Sequence, residues 1–196
     1  MAKGKWAQGI TPRNFSWVIK DRLSIAERPG GYGDNHRRVR RQEEIIWLRE
    51  QGFTRVISLS PVPYNLHNYD ELGVPWLHRP LQGHEESGQR LRALYLTLRT
   101  LLAADERVLV HRDELSDLVT GAMAGYLVWG ELISEPPRAV SIMEQILGGQ
   151  IGPVGRKLVS TAARLDPSSM DPGDPPAVPE PESETDAQTG TAVPAE

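Results

Sequence analysis

The sequence predicts an α/β layered fold, a central and mostly parallel sheet flanked by helices, followed by a disordered C-terminal tail. Three observations predict it. Short apolar runs of strand length alternate with longer segments whose apolar residues recur at helical spacing, as strand–helix crossovers on a parallel sheet require. Glycine and proline punctuate the junctions between these runs. From Asp166 to Glu196 the composition changes to eight acidic residues, seven prolines and no Lys or Arg. That segment buries too little apolar surface to offset its ordering entropy. The expected organisation is an N-terminal extension over 1–13, one folded domain over 14–165 and the tail over 166–196. No internal repeat is present.

The elements follow in order. Phe15 to Ile19 and Leu23 to Ile25 are apolar stretches split by Lys20-Asp21, suited to a strand pair at a sheet edge. Pro29-Gly30-Gly31-Tyr32-Gly33 reads as a loop, since it lacks the Lys-Ser/Thr of a nucleotide-binding P-loop. Asp34 or Asn35 suits the cap of a helix to Gln51, with Gly52 as its stop and Val39, Ile45, Ile46 and Leu48 as its apolar face. Arg55 to Ser60 is a strand ended by Pro61 and Pro63. Tyr64 to Leu72 is a short helix or turn closed by Gly73, and Val74 to Arg79 a further strand. Glu86 to Ala104 is a helix, with Leu91, Leu94, Tyr95, Leu98, Leu101 and Leu102 at helical spacing. Arg107 to Val110 is the central strand. A small-residue helix follows from about Val119 to Leu132. Pro137 opens a helix to Leu147, stopped by Gly148-Gly149, and Val154 to Leu165 forms the last helix. Trp17, Trp47, Trp76 and Trp129 lie in apolar contexts and are expected in the core.

Bulk properties exclude several functions. With 196 residues the chain fits one domain plus a tail. No run of about 18 apolar residues exists, so no membrane span is expected. Residues 1–10 lack the apolar core of a signal peptide, which points to a cytoplasmic protein. There is no cysteine, which excludes disulfides, thiolate metal sites and thiol nucleophiles. Arg outnumbers Lys by 18 to 4, compatible with a GC-rich bacterial genome. The tail carries −8, which leaves the body at +4.

Residues 107–128 carry the most chemistry. After Arg107 to Val110 come His111, a turn and the small-residue helix. This segment resembles the active-site segment of the cysteine-dependent tyrosine and dual-specificity phosphatases, whose pattern is His-Cys-x-x-Gly-x-x-Arg-Ser/Thr-Gly. His111 matches. The nucleophile position holds Arg112, the Gly position Leu115 and the phosphate-gripping Arg position Leu118. The run Asn14-Phe15-Ser16-Trp17-Val18-Ile19, with Arg22 to Pro29, is similar to the N-terminal segment of small atypical dual-specificity phosphatases. The step from Glu43–Gly52 into Phe53–Leu59 is similar to that family's first helix-to-strand step. The resemblance spans about residues 14–160, and it implies a phosphatase-like fold.

The chemistry the resemblance implies is missing from the loop. Cysteine-based phosphoryl transfer needs a low-pKa thiolate, a cradle of backbone amides with an Arg fork, and a general acid. A guanidinium stays protonated, so Arg112 is no nucleophile. Leu118 cannot make a bidentate pair with phosphate. Leu115 adds a Cβ where the family uses Gly. The family's acid loop corresponds to Leu81-Gln82-Gly83-His84-Glu85-Glu86, which has no Asp. His84 or Glu85 offers an acid by type, but the segment reads as a polar loop and helix entry.

Two repurposed readings remain. In one, Asp113, Glu114 and Asp117, with His111 or His84, ligate a hard cation in a metal-assisted hydrolase. In the other, which the lack of an Asp-x-Asp-x-Asp-Gly pattern favours, Arg112 pairs with Asp113 or Asp117 and fills the old anion site. His111 is then a structural histidine. The candidate ligand-contacting residues are His111, Arg112, Asp113 and, at the end of the preceding strand, His78. No catalytic residue, metal or cofactor is assigned. His36-Arg37-Arg38-Val39-Arg40-Arg41 is the densest basic cluster, but Glu43 and Glu44 stand at pairing distance along the helix, so nucleic-acid binding is not expected. The expected function is that of a pseudophosphatase. Such a catalytically inactive regulatory or protein-binding module would act on a phosphorylated or acidic protein partner.

Overall fold

A computed structural model of the chain describes residues 9–31, 38–82 and 87–168. In chain order the elements are β1 (Ser16–Ile19), β2 (Leu23–Glu27), α1 (Arg38–Glu50), β3 (Arg55–Ser58), α2 (His67–Glu71) and β4 (Trp76–His78). They continue with α3 (Ser87–Ala103), β5 (Val108–Arg112), α4 (Asp117–Trp129), α5 (Pro136–Leu147) and α6 (Pro153–Ala162). The five strands form one sheet in the order β1-β2-β5-β3-β4. β1 pairs antiparallel with β2 at the edge, and every other pairing is parallel. The hairpin between β1 and β2 turns through Asp21 at φ 60°, a conformation that Asp tolerates better than most L residues.

The sheet sorts its side chains into two cores by strand alternation. Along β5, Val108 and Val110 enter the core shared with α3, α4, α5 and α6, while Leu109 enters the core shared with α1 and α2. Burial on both faces explains why the central strand reads as an unbroken apolar run over Val108–Val110 rather than alternating.

Helix α3 buries Leu91, Leu94, Tyr95 and Leu98 along one stripe. Helix α4 is buried on almost every side, because α6 and α5 pack against it. Glycine makes that approach possible. A Cβ on Gly121 would lie 2.2 Å from the Gly155 Cα, and one on Gly125 would lie 2.8 Å from the Ala162 Cβ. The small residues of α4 are therefore a packing surface for α6.

Several expectations change in detail. Val39 is 66% exposed, so the apolar face of α1 reduces to Ile45 and Leu48 with Ile46 half-buried. The first turn of α1 projects beyond the core. Among the tryptophans described, Trp129 is buried, while Trp17, Trp47 and Trp76 are half-buried. Trp17 stacks on Phe53 at 5.6 Å, so these rings seal the second core from outside. Strand β5 runs on through His111 and Arg112, and α4 starts at Asp117. The caps expected at Asp34 or Asn35, the acid candidates His84 and Glu85, and the tail beyond Ser168 lie outside the described residues.

Candidate functional site

In open α/β sheets, ligands sit outside the carboxyl ends of the parallel strands. Here that edge gathers Arg28 after β2, the segment Asp113–Ser116 after β5, Ser60 after β3 and His78 at the end of β4. The loop between β5 and α4 has only four residues, because both flanking elements extend into it.

His111 and Arg112 are ladder residues of the central strand, in register with Ala26 and Glu27 of β2. The His111 carbonyl accepts the Leu59 N–H at 2.8 Å, and the Arg112 carbonyl accepts the Arg28 N–H at 2.7 Å. Consecutive side chains of a strand point to opposite faces. The His111 ring lies on the α1/α2 side, 5.9 Å from the ring of Tyr69. It is fully buried, and neither ring nitrogen has a hydrogen-bond partner. Burial, together with the charges of Arg28 and His78, pushes its pKa down to about 3. His111 is therefore neutral at physiological pH. The Arg112 side chain takes the other side. Its Nε is buried without a partner.

An ion pair does close the edge, but its cation is not Arg112. The Asp113 carboxylate is held by Arg28 Nε at 3.2 Å and by the Ser60 hydroxyl, which donates at 2.9 Å to the same oxygen. His78 Nε2–H in turn donates to the Ser60 carbonyl at 2.8 Å. Arg28, Asp113, Ser60 and His78 thus form one polar chain along the edge, in the spatial order of β2, β5, β3 and β4. The pairing expected between Arg112 and Asp113 or Asp117 is replaced by Arg28, which reaches Asp113 because β2 lies next to β5. Pairing with Arg28 was not visible in the sequence, where the two residues lie far apart. The one signal was an Arg directly after the strand that neighbours the loop.

The rest of the loop turns inward. Leu118, at the position of the phosphate-gripping Arg, is 7% exposed and belongs to the main core, and Leu115 packs against the same core. The Ser116 N–H is taken up by the Glu114 carbonyl at 2.9 Å. Asp117 does not face the loop. Its carboxylate accepts the Gly155 N–H at 2.9 Å in the first turn of α6. Glu114 is exposed. The three carboxylates proposed as cation ligands therefore diverge, and among the described residues no three His, Asp or Glu side chains converge as a metal site. No helix among the described residues is long and apolar enough to cross a membrane.

A half-open cleft of about 300 Å³ lies beside the loop, lined by residues that include Asn14, Ser16, Leu115, Thr120 and Gln150. It sits between β1 and the end of α5, to one side of the polar chain.

No protein-family model matches the sequence, and no curated protein matches it. Solved structures do. The kinase associated phosphatase, with a serine replacing its catalytic-site cysteine, superposes with a TM-score of 0.64 at 19% identity, over 79% of this chain and 99% of that one. Tk-PTP in its active form gives 0.62 at 14% identity, over 78% and 98% of the two chains. Human DUSP28 gives 0.57 at 14% identity, over 79% and 97%. Together with the sheet order and the position of the β5–α4 loop, these likenesses identify the fold as that of the tyrosine and dual-specificity phosphatases, carried here by a chain without cysteine.

Proposed function

We propose that this chain is a catalytically silent phosphatase-like domain, a pseudophosphatase, that works as a regulatory or protein-binding module in the cytoplasm. The observation that carries the reading is the chain Arg28–Asp113–Ser60, which places an internal ion pair across the strand ends while Arg112 stands at the nucleophile position. The Asp113 carboxylate already occupies the Arg28 guanidinium, so a phosphate dianion arriving at this edge finds its cation taken. Leu118 in the core leaves no Arg fork to grip the phosphate. A phosphatase-like surface that binds without turnover then serves a protein partner, phosphorylated or acidic.

The test is hydrolysis of an aryl phosphate and of phosphotyrosine and phosphothreonine peptides by the full chain. No burst and no turnover above buffer is expected, with or without added Mg²⁺ or Mn²⁺. A burst, or turnover that a chelator abolishes, overturns the reading.

A further inference from the structure

The cleft between β1 and the end of α5 lies outside the polar chain and is walled by a different set of side chains. It encloses about 300 Å³ and is half open to solvent. Its polar wall is Asn14, Ser16, Asp117, Thr120 and Gln150, and its apolar wall is Leu115 and Leu147. Two of the polar groups spend their hydrogens inside the fold. Asn14 Nδ2 donates to Glu27 at 2.6 Å, and Thr120 Oγ1 donates to the Ser116 carbonyl at 3.2 Å. Each is left with an acceptor, the carboxamide oxygen of Asn14 and the hydroxyl lone pairs of Thr120. Asp117 accepts the Gly155 N–H, and among the described residues no Lys, Arg or His pairs with it. It is the one charged residue in the wall, and no cation lines the cleft.

We propose that this cleft receives an arginine side chain of a partner protein. A guanidinium carries N–H donors and no acceptor, which matches a wall whose spare capacity is acceptor and whose one charge is negative. Leu115 and Leu147 give its methylene stem an apolar surface to lie on, as long cationic side chains require. An oxyanion finds no cation in this wall. Free arginine fits less well for the same reason, because its α-carboxylate would have no partner there, whereas an arginine within a chain carries none. The assignment does not rest on the silence of the altered loop, since Arg28, Arg112 and Asp113 do not line the cleft.

The test is an NMR titration of the full chain with the blocked tripeptide acetyl-Gly-Arg-Gly-amide. Its citrulline analogue, which keeps the shape and removes the charge, is the reference. The backbone amides of Ser16, Thr120, Gly149 and Gln150 should shift together and saturate with the arginine peptide, and the citrulline peptide should bind about tenfold more weakly. Asp117→Asn should weaken the arginine peptide by about the same factor. Asp117 also holds the Gly155 N–H, so a second variant leaves that contact intact. Gly149 lines the cleft, and a Cβ there would meet no atom beyond its chain neighbours within 4 Å, so Gly149→Leu fits the fold and crowds the cleft. It should abolish the shifts. No saturable shift at these amides, equal binding of the citrulline peptide, or binding that survives both variants overturns the site. Free L-arginine binding more tightly than the peptide overturns the protein partner and assigns the cleft to a small molecule.

Discussion

Asp117 and Gly155 join the starts of two helices. The carboxylate lies in the first turn of α4, and its Oδ2 accepts the Gly155 N–H at 2.9 Å in the first turn of α6. One negative charge thus serves two helix N-termini, where backbone amides and helix dipoles favour it. The side chain packs so closely that a Cβ on Gly155 would stand 2.4 Å from Asp117 Oδ1.

Gly155→Ala should therefore destabilise the domain by about 2–3 kcal/mol or more, because the contact is with a fixed carboxylate and with backbone. Gly121→Ala should behave alike, since its Cβ would meet the Gly155 Cα. Asp117→Asn keeps the shape and loses the charge, at a cost of about 1 kcal/mol. Chemical denaturation of the three variants gives the ranking. An unchanged midpoint for Gly155→Ala would contradict the packing.

Arg28 and Asp113 form a largely buried pair, with side chains 11% and 24% exposed. Removing one partner strands the other. Asp113→Ala or Arg28→Ala should each cost about 2–4 kcal/mol, and the double variant less than the sum. A double-mutant cycle measures the coupling, and strict additivity would show that the pair contributes nothing.

Restoring the nucleophile alone should not restore catalysis. The combined variant R112C/L115G/L118R returns the family's Cys, Gly and Arg to the loop but leaves Asp113 beside them. Aryl phosphate turnover is expected to stay at background until Asp113 is also replaced, as in D113A added to the three. Turnover in the triple variant would show that the ion pair does not block the edge.

His111 sets a pH dependence. Its folded-state value lies near 3, below the ordinary 6.5, so the unfolded chain takes up the proton first as pH falls. The contribution is constant above about pH 7. It is lost as pH falls from 6.5 towards 3, by at most about 1.4 kcal/mol per unit. Denaturation midpoints measured at steps across this window should slope less in His111→Asn than in the parent. Identical slopes would rule His111 out as the source.

Much of the layer order was legible because it rests on local signals. The stripe of α3, the Pro start of α5 with its stop at Gly148 and the punctuation around β3 all come from neighbouring residues. The end of β5 was not legible. His111-Arg112 reads as the start of a turn, yet strand β2 lies alongside and takes both residues into the ladder. That extension decides which face each side chain takes, so it also decided which arginine meets Asp113. Arg28 stands next to the loop only through the β2–β5 pairing, a tertiary fact with no mark in local spacing. Val39 misled for the opposite reason. It fits the helical period, yet its side chain is exposed and joins neither core.

The order of the strands carries a consequence for how the molecule is made. β5 is the last strand in the sequence and the middle one in the sheet. Without Val108–Arg112 the sheet contacts reduce to β1 with β2 and β3 with β4, two separate pairs that would each leave an open edge where β5 belongs. Those edges carry Leu23 and Ile25 on one side and Val56 and Ile57 on the other, the kind of apolar strand edge that pairs with other chains. Closure is non-local and correspondingly slow. On the ribosome, the sheet becomes continuous only when the five residues that include His111 and Arg112 arrive to fill its centre.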